Sequence, residues 1–380
     1  MVVGVDSFTL LAIPLFLLAG ALMAEGEITP RIMRFASSLV GHIPGGMAMV
    51  MVVSCMLFGA ISGSGVADVA AIGSILLPAM KNQGYKPAFS ASLLGCAGSL
   101  GTVIPPSIVM VVLGVSMGTS IGKLFLGGVI PGLITGGALM AISYVFARKE
   151  NYPRLPKADF REVIRSFRGA ALPLLTPAII IGGILQGIFT ATEAGGVAAF
   201  YALVLSKFVY RKISWTRFFE ICLEVAKTSA VVLFIIAAAN LFGWVLTVEN
   251  IPQKIASAIL AISSNYWVIL VLFNLLLLLL GMFMETIAIV IILVPIFLPI
   301  MQQIGVDPVH LGVMMCVNLA IGANTPPLGV DLITACKVAG IPYEASFRYI
   351  YFFIAAMIVS LVLLIAFPPL ATYIPNLLMD

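Results

Sequence analysis

Charged residues are scarce in this chain of 380 residues: Asp, Glu, Lys and Arg together make up only 9% of it. Soluble domains carry about 25% charged residues, and a surface that faces water cannot be built from so few. Hydrophobic residues make up 61% of the chain. Uncharged runs such as 170–190 and 228–248 exceed the ~18 residues that define a candidate membrane-spanning helix. The sequence therefore predicts an all-α polytopic membrane protein.

Histidine is almost absent and cysteine shows no pairing pattern, which argues against a metal centre or an intramembrane enzyme. His42 and His310 are far apart and both are expected outside the predicted spans. HExxH and GxGD motifs are absent as well. The basic residues lie in short loops, so the net charge of +4 is not a nucleic-acid signal. Cysteines without CxxC spacing are interpreted as small core residues, at Cys55, Cys96, Cys222, Cys316 and Cys336.

Several Gly and Pro residues recur at a constant separation of 221 residues, which chance rarely produces because both residue types shape the backbone. The pattern predicts a first repeat over 1–148 and a second over 169–380, joined by a basic linker over 149–168. Spans 170–190 and 195–210 have no counterpart in the first repeat, so the chain is expected to begin about two helices late. The matches pair Pro78 with Pro299, Met80 with Met301, Gly84 with Gly305, Gly101 with Gly322, and Pro105-Pro106 with Pro326-Pro327.

The apolar stretch 266–301 is too long for one span and too short for two, so we interpret it as a re-entrant helical hairpin. A matching hairpin is predicted over 46–80. Each hairpin is followed by a broken helix, at 88–117 and at 309–338. In the second repeat the remaining predictions are spans over 170–190, 195–210, 228–248 and 349–372, and an interfacial helix over 250–262.

An odd number of crossings in each repeat predicts that the two repeats have inverted topology. The linker 149–168 is rich in Arg and Lys, which places it in the cytoplasm by the positive-inside rule. The loop 302–308 and the C-terminus after Arg348 contain no Lys or Arg, so they are expected on the outer side of the membrane.

Short Gly-, Ser- and Pro-rich sequences interrupt four predicted helices, in two matched pairs. The hairpins turn at 59–65 (GAISGSG) and 281–286 (GMFMET), and the following helices break at 101–107 (GTVIPPS) and 322–329 (GANTPPLG). A broken helix inside a membrane offers free carbonyl groups to Na⁺ and a helix N-terminus to an anion. The alternative is that the small residues only let helices pack closely.

The tips and breaks together predict two cation sites and a substrate region. The first cation site is assigned to Ser62, Ser64, Gly101, Ile104 and Pro106. The second is assigned to Met284, Thr286, Gly322, Thr325 and Leu328. Candidate substrate contacts at the tips are Gly63, Gly65, Glu285 and Asn324.

Two carboxylates each lie in a long stretch of sequence that contains no other charged residue. Asp68 and Glu285 are candidates to support the sites, because a carboxylate at membrane depth costs about 2.5–3.5 kcal/mol on insertion scales. Glu285 is expected to orient the tip backbone, neutralise a cation or carry a proton. Asp331 is a further supporting candidate, although Asp331 and Glu193 are interpreted first as solvated helix ends.

Specific strings give the chain a family resemblance over essentially its whole length. SGSGVADVAAIGSILLPAMKNQGY, GSLGTVIPPSIVMVVLG and ANTPPLGVDL are similar to the large (M) subunit of tripartite ATP-independent periplasmic (TRAP) transporters, and the opening DSFTLLAIPLFLLAGALM matches an early span of that family. By position, the resemblance assigns Ser62, Gly101, Ile104 and Pro106 to a first sodium site and Thr325 to a second. Glu285 falls at a tip position that is acidic in the family.

The resemblance implies an elevator-type transporter of the bacterial inner membrane that is driven by a Na⁺ gradient and needs no organic cofactor. Its implied partners are a small four-helix membrane subunit, a periplasmic substrate-binding protein, the lipid bilayer and a small carboxylate such as a C4-dicarboxylate or a sialic acid. The nearest alternative is a stand-alone Na⁺-coupled anion permease without a binding protein. A channel is a further alternative that the matched hairpins argue against, and the residues above argue against an intramembrane enzyme.

Overall fold

A computed structural model describes residues 6–26, 28–249, 254 and 265–379. Its regular elements are helices, and the described residues contain no β-strand. The prediction of an all-α polytopic membrane protein is confirmed. Seven helical stretches of the described chain are long and apolar enough to span a membrane, at Phe8–Glu25, Ile121–Lys149, Phe160–Leu185, Ala191–Val209, Trp215–Phe242, Thr286–Gln303 and Tyr343–Ala366.

The described residues of the first half form seven α-helices, which we number in chain order. A 3₁₀ turn at Phe8–Leu11 leads into the first of them. The helices are α1 Ala12–Glu25, α2 Ile28–Val40, α3 Gly46–Ser62, α4 Gly65–Asn82, α5 Pro87–Gly98, α6 Ile108–Met117 and α7 Ile121–Lys149.

The described residues of the second half form nine more α-helices. The helix predicted over 250–262 lies outside the described residues except for one position. The helices are α8 Phe160–Leu185, α9 Ala191–Leu203, α10 Trp215–Val248, α11 Tyr266–Gly281, α12 Thr286–Gln303, α13 Pro308–Gly322, α14 Val330–Ala339, α15 Phe347–Ala366 and α16 Pro369–Met379.

The helix bounds add detail to one sequence expectation and correct another. The linker predicted over 149–168 is helical in its second part, because Asp159 accepts a hydrogen bond from the Phe160 N–H and begins α8 there. His310, which was expected outside the spans, lies in the first turn of α13 and is completely buried. Its ring Nε2 lies 2.9 Å from the Leu364 carbonyl oxygen, and this partner lets the helix bury an imidazole.

The described helices form two packed groups, which meet along α3 and where α10 packs on α12. Helices α1, α2, α8, α9 and α10 pack mainly on one another, while α4–α7 and α11–α16 form the larger group. Within the larger group, α4 packs on α14 and α6 packs on α12. In each half, the second helix of the hairpin (α4 or α12) therefore contacts the second segment of the broken helix from the other half (α14 or α6).

Large apolar side chains remain exposed along the outer helices. On α10 alone these include Phe219, Phe234 and Trp244, which are 65–68% exposed. Helices with this composition are stable when lipid or another apolar helix covers them. Buried positions include four of the five cysteines, as predicted, and Cys222 is half-buried.

Candidate functional site

The tip of the first hairpin is a two-residue turn seated on the break between α5 and α6. Gly63 follows the last residue of α3, and its positive φ of 65° reverses the chain; Ser64 precedes α4 in an extended conformation. The Ile108 N–H donates a hydrogen bond to the Gly63 carbonyl at 3.2 Å. A Cβ on Gly63 would lie 2.7 Å from the Pro106 carbonyl oxygen. Only glycine fits this junction.

Asp68 lies one turn after this tip and is completely buried. Its Oδ1 accepts a hydrogen bond from the Ser62 hydroxyl, and the Ser62 Oγ in turn accepts one from the Ser64 N–H at 3.2 Å. Its Oδ2 has no hydrogen-bond partner among the described residues. A buried carboxylate oxygen without a partner is costly, so this atom is a ready ligand for a cation.

The free oxygen of Asp68 faces the backbone of the first break. A Cβ on Gly59 would lie 2.8 Å from Asp68 Oδ2 and 2.8 Å from the Gly101 Cα. A Cβ on Gly101 would also collide with the Asp68 carboxyl group. Glycine at both positions therefore lets the hairpin, the carboxylate and the break come into contact.

Proline frees carbonyl groups in this break because it has no N–H to donate. In a continuous helix the Gly101 and Thr102 carbonyls would accept from residues 105 and 106, which are both proline. The Ser107 hydroxyl replaces one of these donors and bonds to the Thr102 carbonyl at 2.7 Å. Ser107 also caps α6 by accepting from the Met110 N–H. The Gly101 carbonyl keeps no helical donor and remains a candidate cation ligand.

The second hairpin is tied to its own break in the same manner. The Leu328 N–H donates a hydrogen bond to the Met282 carbonyl at 3.1 Å, which parallels the bond from Ile108 to Gly63. A Cβ on Gly322 would lie 2.7 Å from the Gly281 Cα, so the two backbones are in direct contact. This contact parallels the one between Gly59 and Gly101.

Glu285 forms the N-cap of α12. Its carboxylate accepts hydrogen bonds from the Ile287 N–H at 2.8 Å and from the Ala288 N–H at 3.2 Å. Of the roles expected for this residue, the structure gives it an orienting contact with the tip backbone. Met284 and Thr286, on either side, are half-buried.

The polar side chains of the second break point in different directions. The Thr325 hydroxyl donates to the Ile321 carbonyl at 2.8 Å and keeps its lone pairs. The Asn324 amide nitrogen bonds to the Ala320 carbonyl at 3.0 Å, while its Oδ1 has no partner among the described residues. That oxygen lies 2.7 Å from where a Cβ on Gly95 of α5 would be. Asn324 therefore contacts the first half of the chain.

The comparisons with known proteins decide the family. A family model described as "Tripartite ATP-independent periplasmic transporter, DctM component" matches residues 1–370. The chain belongs to this family. The C4-dicarboxylate TRAP transporter large permease protein DctM of Pseudomonas aeruginosa is 45% identical over 371 residues, covering 98% of this chain and 87% of the relative. The sialic acid TRAP transporter large permease protein SiaM of Vibrio cholerae is 43% identical over 374 residues, covering 98% and 88%.

These relatives are permeases, so this TRAP permease is a membrane transport protein and not an enzyme. Membership implies a small membrane subunit and a periplasmic binding protein as partners. The crystal structure of the Alcanivorax borkumensis YdaH transporter, described as having an unusual topology, matches with a TM-score of 0.66 at 17% identity. The match covers 97% of this chain and 87% of that one, and it shows a shared fold.

The structure of the TRAP permease corrects the interpretation of Asp331. This residue was expected at a solvated helix end, yet its side chain is only 3% exposed. The reason is that α14 packs between α4 and α5 instead of reaching water. A Cβ on Gly65 would lie 2.7 Å from Asp331 Oδ2, so a carboxylate of the second half touches the first residue of α4. Glu193 agrees with its prediction, since it is exposed and forms a capping box with Thr190.

The predicted residues fall into two neighbourhoods of this permease. Hydrogen bonds and close contacts join the first tip to its break, and backbone contacts join the second tip to its own. No hydrogen bond between described residues links Met284 or Thr286 directly to Thr325. Sequence reasoning placed Gly59 in the tip and Ser107 in the break but gave neither a role, although a serine after a Pro-Pro pair is a recognisable N-cap signal.

Proposed function

We propose that this chain is the large permease subunit of a Na⁺-coupled secondary transporter that imports small organic anions delivered by a periplasmic binding protein. C4-dicarboxylates, sialic acid or related carboxylates are the proposed substrates, since relatives named for both kinds align over almost the whole chain. The observation that carries the proposal is the buried Asp68 carboxylate, whose Oδ2 has no hydrogen-bond partner among the described residues and faces the Gly101 backbone.

The first proposed Na⁺ site combines the Ser62 and Ser64 oxygens with the carbonyls of Gly101, Ile104 and Pro106. Unwound carbonyls and helix C-terminal ends are the groups that coordinate Na⁺ in transporters of this general design. Asp68 adds a negative charge beside them, and no described Lys or Arg forms an ion pair with it. A bound cation would compensate the buried charge, because an unpaired carboxylate in low dielectric is strongly unfavourable.

The second proposed Na⁺ site lies between the other tip and its break. Its ligands would come from Met284, Thr286, Gly322, Thr325 and Leu328, all of which lie in or beside nonhelical backbone. The hydrogen bond from Leu328 to Met282 supports the site, since it fixes the break against the tip. Glu285 holds the start of α12 and orients the tip.

The substrate carboxylate is proposed to bind where helices begin at the tips. The N-terminal ends of α4 and α12 each carry the positive end of a helix dipole, which attracts an anion, although at α12 the Glu285 carboxylate already accepts from the Ile287 and Ala288 N–H groups. Gly63 and Gly65 allow close approach to the first of these ends, and Glu285 orients the second. Asn324 contributes an amide oxygen that has no described partner and can accept from a substrate hydroxyl.

The two halves are proposed to be inverted repeats that move as an elevator. Support comes from the paired contacts: Gly59 with Gly101, Gly281 with Gly322, and α4 on α14 matched by α6 on α12. The larger helix group, which carries both tips, would move against the smaller group. In this orientation the linker 149–168 faces the cytoplasm, the C-terminus faces the periplasm, and the protein lies in the bacterial inner membrane.

The test is carboxylate uptake into proteoliposomes that contain the permease and its proposed four-helix small subunit. Uptake is expected to require both an inward Na⁺ gradient and the periplasmic binding protein. Unchanged uptake when choline replaces Na⁺ would overturn the sodium coupling. Full uptake without the binding protein would favour a stand-alone permease instead.

A further inference from the structure

A cavity of about 220 Å³ lies between three helix ends, far from both tips. It is bounded by the C-terminal ends of α4 and α14 and by the first turn of α5. Lys81, which lines it, is sixteen positions after Gly65 on α4. At 1.5 Å per residue this places the cavity roughly 24 Å from the first tip. It is therefore separate from the proposed cation and substrate sites.

Ser90 provides a buried hydroxyl group to this cavity. The residue is 2% exposed, and its Oγ has no hydrogen-bond partner among the described residues. Ser92, two positions later on the same helix, behaves differently: its hydroxyl lies 2.8 Å from the Ala88 carbonyl and 3.0 Å from the Ser346 carbonyl. Buried hydroxyls normally find a partner, so the hydroxyl of Ser90 is available to a ligand in the cavity.

The charges around the cavity favour an anion. Lys81 is exposed and forms no ion pair with any described residue, whereas Lys86 nearby is paired with Glu150 at 2.5 Å. No carboxylate lines the cavity in the described structure. The first turn of α5 adds the positive end of a helix dipole and the N–H groups of Ala88 and Phe89, whereas Pro87 has no N–H and the Ser90 N–H donates to the Lys86 carbonyl.

We propose that this cavity binds one anionic group, a carboxylate or a phosphate, held by the Ser90 hydroxyl, the Lys81 ammonium group and the first turn of α5. The remaining walls are apolar and include Leu77 and Val338, which suits a short hydrocarbon attached to the anion. The volume is below the ~300 Å³ of typical drug-sized pockets, so the ligand is a small free anion or a single lipid headgroup.

The experiment measures ligand-dependent thermal stabilisation of the complex of the permease with its small subunit. Inorganic phosphate titrated in detergent probes a free anion. Nanodiscs of phosphatidylcholine, with and without phosphatidylglycerol, probe a lipid headgroup. Ser90→Ala and Lys81→Gln are expected to weaken the response to the effective probe about tenfold, the loss that corresponds to one good polar contact. Ser120→Ala and Lys157→Gln, which change exposed residues outside the lining of this cavity, serve as matched controls.

Saturable stabilisation by phosphate supports a free-anion site, and stabilisation by phosphatidylglycerol alone supports a lipid site. The proposal is overturned if no probe stabilises the wild-type complex. It is also overturned if the Ser90 and Lys81 variants respond like their controls. Lys81 is exposed, so Lys81→Gln carries the test by itself should Ser90→Ala fail to fold.

Discussion

Asp331 of the second half places its carboxyl group against Gly65, the first residue of α4 in the first half. A Cβ at Gly65 would lie 2.7 Å from one carboxyl oxygen and 3.2 Å from the other. Both residues are buried, so neither can move aside into solvent. Both halves of the chain therefore contribute to the first tip, and a substitution at Gly65 is expected to displace the Asp331 side chain.

Gly65→Ala is expected to lower the thermal stability of the purified complex because the added methyl group meets the buried Asp331 carboxylate. Removing that carboxylate should recover part of the loss. The double variant Gly65→Ala/Asp331→Ala is thus expected to show a coupling energy of about 0.5–3 kcal/mol in a double-mutant cycle. Additive effects of the two changes would mean that the contact carries no energy.

Gly322→Ala tests the backbone contact at the second tip. The new Cβ would lie 2.7 Å from the Gly281 Cα, and backbone cannot yield as a flexible side chain does. We expect a loss of about 1–3 kcal/mol in the free energy of unfolding, typical of overpacking, together with reduced uptake. Gly182→Ala in α8 is the control, because nothing lies within 4 Å of its Cβ position. Equal stability of the two variants would refute the contact.

Glu285 is expected to act through its cap on α12. Glu285→Ala removes the acceptor for the Ile287 and Ala288 N–H groups and should cost about 0.5–2 kcal/mol, the usual range for a lost N-cap. Glu285→Asp, which keeps a carboxylate able to cap, is expected to retain most of the uptake rate that the alanine variant loses. A normal uptake rate for Glu285→Ala would show that the Glu285 cap is not needed for transport.

The ion pair between Lys86 and Glu150 predicts a pH dependence outside the membrane-spanning helices. The Lys86 ammonium group donates a hydrogen bond to the Glu150 carboxylate, which holds the pKa of Glu150 below the ordinary value of 4.5. The same contact raises the pKa of Lys86. A depressed carboxyl pKa stabilises the folded state above pH 4.5, and this stabilisation is lost as the pH falls through the pKa of the folded protein.

Glu150→Gln should therefore be less stable than the wild type at neutral pH, with the two stabilities converging in acid. The measurement is the midpoint of thermal unfolding between about pH 3 and pH 8, with a small difference expected for an exposed pair. Glu162→Gln, which has no ion pair among the described residues, should follow the wild type throughout. A pH-independent difference for Glu150→Gln would contradict the assignment.

Residues that punctuate the backbone made the tips and breaks predictable from sequence. Gly63 and Gly329 adopt positive φ, and the Pro-Pro pairs at 105–106 and 326–327 stand where the helices are interrupted. These residues act locally, so their effect can be inferred without knowing what packs nearby.

Contacts between distant segments were not predictable in this way. Asp331 is buried only because α14 packs on α4 and α5, more than two hundred residues earlier in the chain. Helix α10 begins at Trp215 and not at 228, since Arg217 pairs with Glu220 and Glu224 on its own helix and with Glu25 of α1. A cluster of charged residues is typical of a loop between membrane spans, but ion pairs between residues one or two turns apart stabilise a helix.

The measurement that tests the central claim most directly is equilibrium binding of ²²Na⁺ to the purified complex. The wild type is expected to bind Na⁺ saturably at two sites. Asp68→Asn is expected to weaken binding at one of them at least tenfold, because the asparagine keeps the acceptor for Ser62 but removes the charge. Glu193→Gln, an exposed carboxylate at a helix start, should bind as the wild type does. Identical Na⁺ binding by Asp68→Asn and the wild type would contradict a sodium site at the first tip.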